Sequence, residues 1–95
     1  MGDVNFLIKI KEFQWDEGND EHILRRHNVT KSDAEGVFIG DPYFRIGRDG
    51  TRYVYGQTSN GRYLFVVYLY LGKRVARVVT ARDMTKRERK LYLKR

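Results

Sequence analysis

Residues 52–80, RYVYGQTSNGRYLFVVYLYLGKRVARVVT, decide the fold of this chain. They contain three runs rich in β-branched and aromatic residues, which cover 52–58, 62–71 and 74–80. Such runs favour strands, and the Asn60-Gly61 pair between the first two is typical of a tight hairpin turn. Connections this short cannot form crossovers, so the strands are predicted to pair as antiparallel neighbours. The 62–71 run is apolar on both faces and is therefore predicted to be the central strand.

Upstream of this meander the sequence predicts one more strand at 43–46, then two short helices and an N-terminal strand. Residues 4–13 partly alternate between apolar and charged side chains, which indicates a strand. Asp16 is placed to cap a helix that runs to about Arg26. Thr30-Lys-Ser-Asp33 resembles a capping box that opens a second helix. The predicted order is therefore β-α-α-β-β-β-β before the final segment.

The final segment carries most of the positive charge. Residues 73–95 contain ten Lys/Arg and two acidic residues, whereas the preceding 72 contain nine and ten. Thr85-Lys-Arg-Glu88 is a capping box for a last helix, in which Met84, Leu91 and Glu88 are predicted to share a face, with Leu91 and Leu93 as candidate core residues. Charge gathered on one element indicates a polyanionic partner, and nucleic acid is the first to consider, ahead of an anionic membrane surface. The alternative is that the helix only presents a solvated charged face.

These elements predict a single α+β domain over residues 1–95. Its sheet is an antiparallel four- to five-stranded meander with two N-terminal helices and a basic C-terminal helix, and all three helices are expected on one side of the sheet or at its edge. The chain has no cysteine, and its longest apolar run, Tyr63 to Leu71, is too short to span a membrane. We therefore expect a cytoplasmic protein with no membrane partner. The sequence shows no metal-ligand spacing, and we expect neither a metal site nor a cofactor.

Six short motifs occur in one order along the chain. They are Phe13-Gln-Trp15-Asp16, Arg26-His27-Asn-Val29, Ala34 with Val37-Phe38 and Asp41-Pro42, Arg52-Tyr53 before Gly56, Leu64-Phe-Val-Val-Tyr68, and Arg77-Val-Val-Thr-Ala-Arg82-Asp-Met with Arg87-Glu88-Arg89. Together they resemble the BrnT family of bacterial type II toxins over roughly residues 11–92.

The resemblance implies a RelE-like ribonuclease fold and metal-independent cleavage of RNA that arrests translation. It also implies a cognate antitoxin of the BrnA kind, with a ribbon-helix-helix pattern. The chain departs from the family pattern where Asn19 replaces a usual Lys, Ile23 a usual Asn, Asn28 a usual Gly, and Thr51 an acidic residue. The replacement at Thr51 removes a potential acid/base group, and the first two changes affect the polar set of the first helix.

Cleavage of RNA without a metal needs a base for the 2′-hydroxyl, an acid for the leaving oxygen and cations around the phosphorane. Arg82 is predicted to end a strand just before a helix, where its guanidinium can meet a phosphate together with free N–H groups at residues 85–88. The alternative for Arg82 is a salt bridge to Asp83 or Glu88. Arg77 and Arg52 would complete a three-point anion clamp if their side chains project from one sheet face with Arg82. Arg77 and Arg82 differ by an odd number of residues, so that clamp requires a bend between them.

His27 is the candidate general base because its ordinary pKa is near neutrality. At a helix end, however, an imidazole often only bonds terminal carbonyls, and this structural reading stays open. Glu88 is a candidate acid or base, although its place in a capping box explains it equally well. Trp15 is expected to anchor the first helix in the core rather than to stack on bases.

Four cations of the last helix are the candidate RNA-binding residues: Lys86, Arg87, Arg89 and Lys90. Four tyrosines are candidates for stacking on bases, with packing against neighbours as the alternative: Tyr53, Tyr63, Tyr68 and Tyr70. The first functional hypothesis is an endoribonuclease toxin. The second is a catalytically silent RNA-binding or antitoxin-binding module on the same fold. Binding to double-stranded DNA has little support, since no helix carries a set of base-reading polar residues with a dimer signal.

Overall fold

The computed structural model describes residues 9–95, which form one five-stranded sheet and three helices. In chain order the elements are β1 (Glu12–Phe13), α1 (Glu17–His27), α2 (Lys31–Ile39), β2 (Tyr43–Ile46), β3 (Arg52–Gln57), β4 (Tyr63–Gly72), β5 (Val75–Asp83) and α3 (Lys86–Lys94). The strands lie in the order β1-β5-β4-β3-β2. None of the helices in these residues is long and apolar enough to cross a membrane.

The predicted meander is confirmed. Strands β2 to β5 pair only with their chain neighbours and always antiparallel, and β4 is the central strand of the sheet. The pairing of β4 with β5 shifts where Val67 pairs with Thr80 and Tyr68 with Val78, which leaves Val79 as a bulged residue. A bulge reverses the alternation of side chains beyond it, so it decides which face later residues of β5 occupy.

The two faces of the sheet differ in what covers them. The inner face bears Leu64, Val66 and Tyr68 of β4, and α1 and α2 pack on it to form the core. A Cβ on Gly56 of β3 would lie 2.9 Å from Cγ1 of Val37, so only glycine lets α2 approach the strand this closely. The outer face bears the alternate residues of β4, which begin with Tyr63, Phe65 and Val67.

The fully antiparallel sheet that we predicted is wrong, because the sheet is mixed. Strand β1 pairs with β5 in parallel, with Glu12 opposite Val75 and Phe13 opposite Ala76. Of the predicted strand over 4–13, residues 4–8 lie outside the described part of the chain, and within 9–13 only Glu12–Phe13 are paired. Strand β1 precedes a helix that packs on the sheet, so β1 can lie beside β5 without a hairpin connection.

All three predicted helix starts are confirmed as reciprocal capping boxes. Asp16 caps α1 with Asn19, Thr30 caps α2 with Asp33, and Thr85 caps α3 with Glu88. Helix α1 ends at Asn28, which adopts the left-handed conformation with φ 54°, as the tolerance of Asn for that region allows.

Helix α3 does not lie beside α1 and α2 on the inner face, and the prediction that its Leu91 belongs to the core is wrong. The helix contacts the outer face at the end where β4 begins, where the rings of Tyr92 and Tyr63 lie 6.1 Å apart. Leu91 is 56% exposed, and Tyr92 is the buried residue of the helix. The Tyr92 hydroxyl donates to the Asp41 carbonyl at 2.6 Å, so an aromatic ring with a satisfied polar end anchors the helix.

Candidate functional site

Arg82 lies on the outer face because it pairs with Phe65 of β4. Its guanidinium donates to both carboxylate oxygens of Glu88, at 2.8 and 3.0 Å, and its Cζ lies 4.4 Å from the centroid of the Phe65 ring. Glu88 is held in turn by the α3 cap, where it accepts from the Thr85 amide at 2.8 Å. The salt bridge that the sequence offered as the alternative for Arg82 is therefore present, with Glu88 rather than Asp83 as the partner. This pair fixes the orientation of the guanidinium.

His27 is the last residue of α1. Its half-buried ring meets the His22 ring edge to face, with centroids 6.0 Å apart. The pKa of His27 is lowered from its ordinary value of 6.5, mainly by burial and then by the charges of His22, Arg26 and Arg82, while Asp83 opposes the shift. His27 is thus neutral at pH 7 and lies within electrostatic range of Arg82.

Arg62 joins the elements that carry these groups, and sequence reasoning missed it. Its guanidinium donates to both Asp83 oxygens at 2.7 and 3.2 Å, to the His27 carbonyl at 2.8 Å and to the Asn28 carbonyl. Arg62 precedes β4, and Asp83 ends β5, so the predicted antiparallel pairing of these strands placed the two residues at the same end of the sheet. That register was the signal that could have identified the pair.

The three-point arginine clamp is wrong. The bulge at Val79 does bring Arg77 onto the outer face with Arg82, as the clamp required. Their partners on β4 are Leu69 and Phe65, four residues apart, which separates the two side chains by about 13 Å along the strand. The Arg77 guanidinium instead contacts Asp16 at 2.9 Å and Gln14 at 3.0 Å.

Arg52 belongs to the inner face, opposite Tyr68 of β4. Its Cζ lies 4.7 Å from the Tyr70 ring, and its side chain hydrogen-bonds with Tyr68. Of the five candidate catalytic residues, Arg82 and Glu88 are in direct contact, and His27 lies within electrostatic range of Arg82. Arg77 and Arg52 contact other groups.

The four candidate RNA-binding cations are all exposed on α3: Lys86, Arg87, Arg89 and Lys90. The Cζ of Arg89 lies 4.2 Å from the Tyr63 ring, which adds a cation–π contact at the start of β4. The expected free N–H groups at 85–88 are only partly present. The amides of Thr85 and Glu88 already donate within the capping box, which leaves those of residues 86 and 87 at the helix start.

Most of the tyrosines proposed for stacking have packing partners. Tyr68 is 2% exposed, and burial raises its pKa to about 12. The Tyr70 hydroxyl accepts from the Arg74 amide at 3.0 Å. Tyr53 meets Phe65 edge to face, 5.0 Å between centroids. Instead, strand register places a different set in one row across the outer face, made of Tyr43, Tyr55, Phe65 and Arg82.

An open groove of about 690 Å³ lies away from these residues, between α2 and the end of α3. Its lining includes Ile39, which is 72% exposed, and Leu93, which is 58% exposed. This groove contains none of the candidate catalytic or RNA-binding residues. A second cavity, of about 30 Å³, is lined by Glu88 together with Tyr43 and Tyr55 of the outer face.

The sequence profile of a family described as ribonuclease toxin, BrnT, of type II toxin-antitoxin system matches residues 15–88. The chain belongs to the BrnT family. The matched span includes His27 and Arg82, with Glu88 as its last residue. The resemblance drawn from the six sequence motifs is thereby confirmed.

The fold is similar to the crystal structure of the Brucella abortus ribonuclease toxin BrnT. The TM-score is 0.66 at 14% sequence identity, over 80% of this chain and 100% of that one. At this identity the likeness concerns the fold alone. A comparison with curated protein sequences gave no match.

Two departures from the BrnT pattern serve the fold of this chain. Asn19 is buried: its Oδ1 accepts from the Asp16 amide at 2.8 Å, and its Nδ2 donates to the carbonyls of Gln14 at 3.1 Å and Val78 at 3.0 Å. Ile23 is fully buried in the core. Asn19 thus caps α1. It also donates to the Val78 carbonyl of β5, which lies past the two residues of β5 that pair with β1.

Thr51 also has a structural role in this BrnT-family domain. Its hydroxyl donates to the Arg48 carbonyl at 2.6 Å and closes the turn between β2 and β3. Trp15 packs against the core as predicted, and its indole N–H donates to Glu35 at 2.7 Å. His22 is exposed as expected, and its ring nitrogen lies 3.2 Å from the Thr80 hydroxyl.

Protonation states at neutral pH show what Glu88, His27 and Arg82 can each do. The Arg82 guanidinium lowers the pKa of Glu88 below its ordinary value, so Glu88 is ionised at neutral pH and holds a cation rather than a proton. Neutral His27 can accept a proton, and Arg82 can stabilise negative charge. Within residues 9–95, no three His, Cys, Asp or Glu side chains gather as a metal site would require.

Proposed function

We propose that this chain is the toxin of a type II toxin–antitoxin pair and that it arrests translation by cleaving RNA as a metal-independent endoribonuclease. The observation that carries the proposal is the Arg82–Glu88 pair in a domain of the BrnT family, with His27 within electrostatic range of Arg82 and the exposed cations of α3 on the helix that carries Glu88.

In the proposed reaction, the neutral imidazole of His27 takes the proton of the 2′-hydroxyl, whose oxygen attacks the adjacent phosphorus to form a 2′,3′-cyclic phosphate. The bond from phosphorus to the 5′-oxygen breaks, and water protonates the leaving oxygen. Arg82 meets the charge that develops on the phosphorane oxygens. Because Glu88 already orients the guanidinium, little reorganisation is needed as that charge appears. Glu88 is thus assigned to hold Arg82, and the ionised state of its carboxylate argues against service as the proton donor.

The substrate surface that we propose combines two features. The cations of α3 neutralise phosphates without reading sequence. The row on the outer face, with Tyr43 37% exposed at its end, offers aromatic surface beside Arg82. Arg77 and Arg52 remain proposed contributors only through the charge of the sheet, since both guanidinium groups have other contacts.

The partner that we propose is an antitoxin encoded beside this chain, BrnA-like with a ribbon-helix-helix pattern. This follows from membership of a toxin–antitoxin family and from the resemblance. The proposed location of the pair is the cytoplasm, and the reaction requires no cofactor. Sequencing the neighbouring reading frame tests the partner directly, since its absence from both sides of the gene would contradict a paired toxin.

The decisive test of the enzyme is Arg82→Ala, measured as cleavage of an RNA oligonucleotide and as growth arrest on induction. Loss of a preorganised cation is expected to lower the rate about 10²–10³-fold, with less effect on RNA affinity. Arg48→Ala, in the exposed turn after β2, is the matched control and is expected to retain activity. EDTA is expected to change neither rate. Equal arrest by Arg82→Ala and the wild type would refute the role of Arg82.

The second candidate function is a catalytically silent binding module. One observation favours it: Glu88 already occupies the guanidinium that should meet the phosphate, while Thr51 closes a turn where the family pattern has an acid. This module would bind RNA or an antitoxin without cutting. A wild-type chain that binds RNA tightly yet leaves it intact and permits growth would establish this second function.

A further inference from the structure

One guanidinium, that of Arg62, connects three segments of the fold. The backbone of Arg62 is fixed by the turn before β4, where its amide donates to the Thr58 hydroxyl at 3.0 Å and its carbonyl accepts from the Thr58 amide at 2.8 Å. From there its side chain, 25% exposed, reaches the end of β5 at Asp83 and the end of α1 at His27 and Asn28. The side chain is therefore anchored at both ends.

The acceptors of Arg62 are the groups that a helix end leaves without partners. The last carbonyls of α1 have no intrahelical donor, and Arg62 supplies donors to those of His27 and Asn28. The same guanidinium forms a two-point pair with Asp83, the residue directly after Arg82. The Arg62 guanidinium thus contacts both His27 and Asp83, the residue next to Arg82.

We propose that Arg62 is a positioning residue for RNA cleavage, which sets the distance and orientation between the His27 imidazole and the Arg82 guanidinium. This inference rests on the proposed function. Arg62 touches neither the reacting atoms nor the substrate in this arrangement, and it acts through the backbone of His27 and the carboxylate of Asp83. Lysine cannot replace it, because an ammonium lacks the planar fork that reaches both the helix end and Asp83.

The test follows the environment of His27 in the full-length protein. The charged groups around that imidazole are His22 and Arg26 from α1 and Arg82 and Asp83 from β5. Arg62 contacts the backbone carbonyl of His27. In Arg62→Lys the end of α1 is released toward water, so burial of the imidazole decreases. The titration midpoint of His27, followed by NMR, is then expected to rise toward 6.5. The acidic limb of the pH–rate profile of cleavage should move to higher pH by the same amount.

Kinetics supply the second measurement. Arg62→Lys is expected to lower kcat about 10- to 100-fold while KM changes less than about twofold, because misplacement of catalytic groups affects the transition state more than binding. Arg62→Gln, which also removes the charge, should do the same or more. Arg95→Lys is the matched control: Arg95 pairs with Asp41 and donates to the Tyr92 carbonyl at the end of α3, remote from His27.

The outcomes separate the two proposals. Wild-type protein that fails to cleave RNA contradicts the proposed function before any variant is measured. If the wild type cleaves and Arg62→Lys only melts earlier, with an unchanged His27 midpoint and unchanged kcat, Arg62 is only a helix cap and the positioning role is overturned. A shift of both readouts in Arg62→Lys and of neither in Arg95→Lys supports it. Lysine is the primary variant because it keeps the charge and the aliphatic stem, and the NMR spectrum reports whether it folds.

Discussion

Replacing Asn19 by Ala should destabilise the protein strongly, although the residue lies at a position where the BrnT pattern has a charged side chain. Asn19 is 6% exposed and makes three side-chain hydrogen bonds, to the Asp16 amide and to the carbonyls of Gln14 and Val78. Alanine removes all three bonds. It also leaves the buried Val78 carbonyl without the donor that Asn19 provides.

The magnitude follows from these contacts. A typical hydrogen bond contributes about 1 kcal/mol net, and an orphaned buried acceptor adds a desolvation penalty, so the expected loss is about 3 kcal/mol. For a domain of this size each kcal/mol corresponds to about 4–8 °C, so Tm should fall by about 12–24 °C. That is a large share of the roughly 5–15 kcal/mol by which domains are stable.

Urea and thermal unfolding, followed by circular dichroism, measure this loss. Gln57→Ala is the control, since the exposed Gln57 makes one bond to the Gly61 carbonyl and should cost less than about 0.5 kcal/mol. Asn19→Asp keeps the acceptor for Asp16 but turns a carboxylate toward two carbonyl oxygens, so it should be at least as damaging as Ala. A loss below about 1 kcal/mol in Asn19→Ala would refute the structural role of Asn19.

Three further predictions concern the site and its charges. Glu88→Gln keeps the capping box, because Gln can replace Glu there, and it should lower the cleavage rate less than about tenfold. A decrease in cleavage rate as large as that of Arg82→Ala would instead make Glu88 a proton-transfer group. Four cations of α3 are changed to Gln in the second test: Lys86, Arg87, Arg89 and Lys90. RNA affinity should fall, and the slope of log affinity against log salt concentration should become shallower by roughly 0.7–0.9 per lost phosphate contact. An unchanged slope would mean that α3 only presents a solvated charged face. The pKa of His27 in the folded protein lies below 6.5, so the free energy of unfolding should begin to fall as pH drops below 6.5. The carboxylates of Asp16, Asp83 and Glu88 also have lowered pKa values. Their protonation breaks their ion pairs, so the free energy of unfolding should fall further below about pH 4.5. Unfolding free energies measured from pH 8 to 3 test this course, and in His27→Gln the first decline should be absent.

Local patterns were sufficient for most of the fold. The capping boxes at Asp16, Thr30 and Thr85 and the turn at Asn60-Gly61 depend on residues close together in sequence, so their predictions were confirmed. The direction of β1 was mispredicted because parallel pairing with β5 connects residues more than 60 positions apart. Leu91 was mistaken for the buried residue of α3 because the helix docks through the longer Tyr92, whose hydroxyl reaches Asp41.

The candidate site shows the same division. The family and the concentration of positive charge at the C-terminal end could be predicted from sequence, because composition and short motifs carry these properties. The separation of the three arginines depends on strand pairing and could not be predicted in the same way. A single bulged residue, Val79, sets the face on which Arg82 lies, and the pairing of β3 with β4 places Arg52 on the opposite face. Arg62 acquired its contacts with Asp83 and with the end of α1 through chain packing, since the acceptors lie 21, 34 and 35 residues away in sequence.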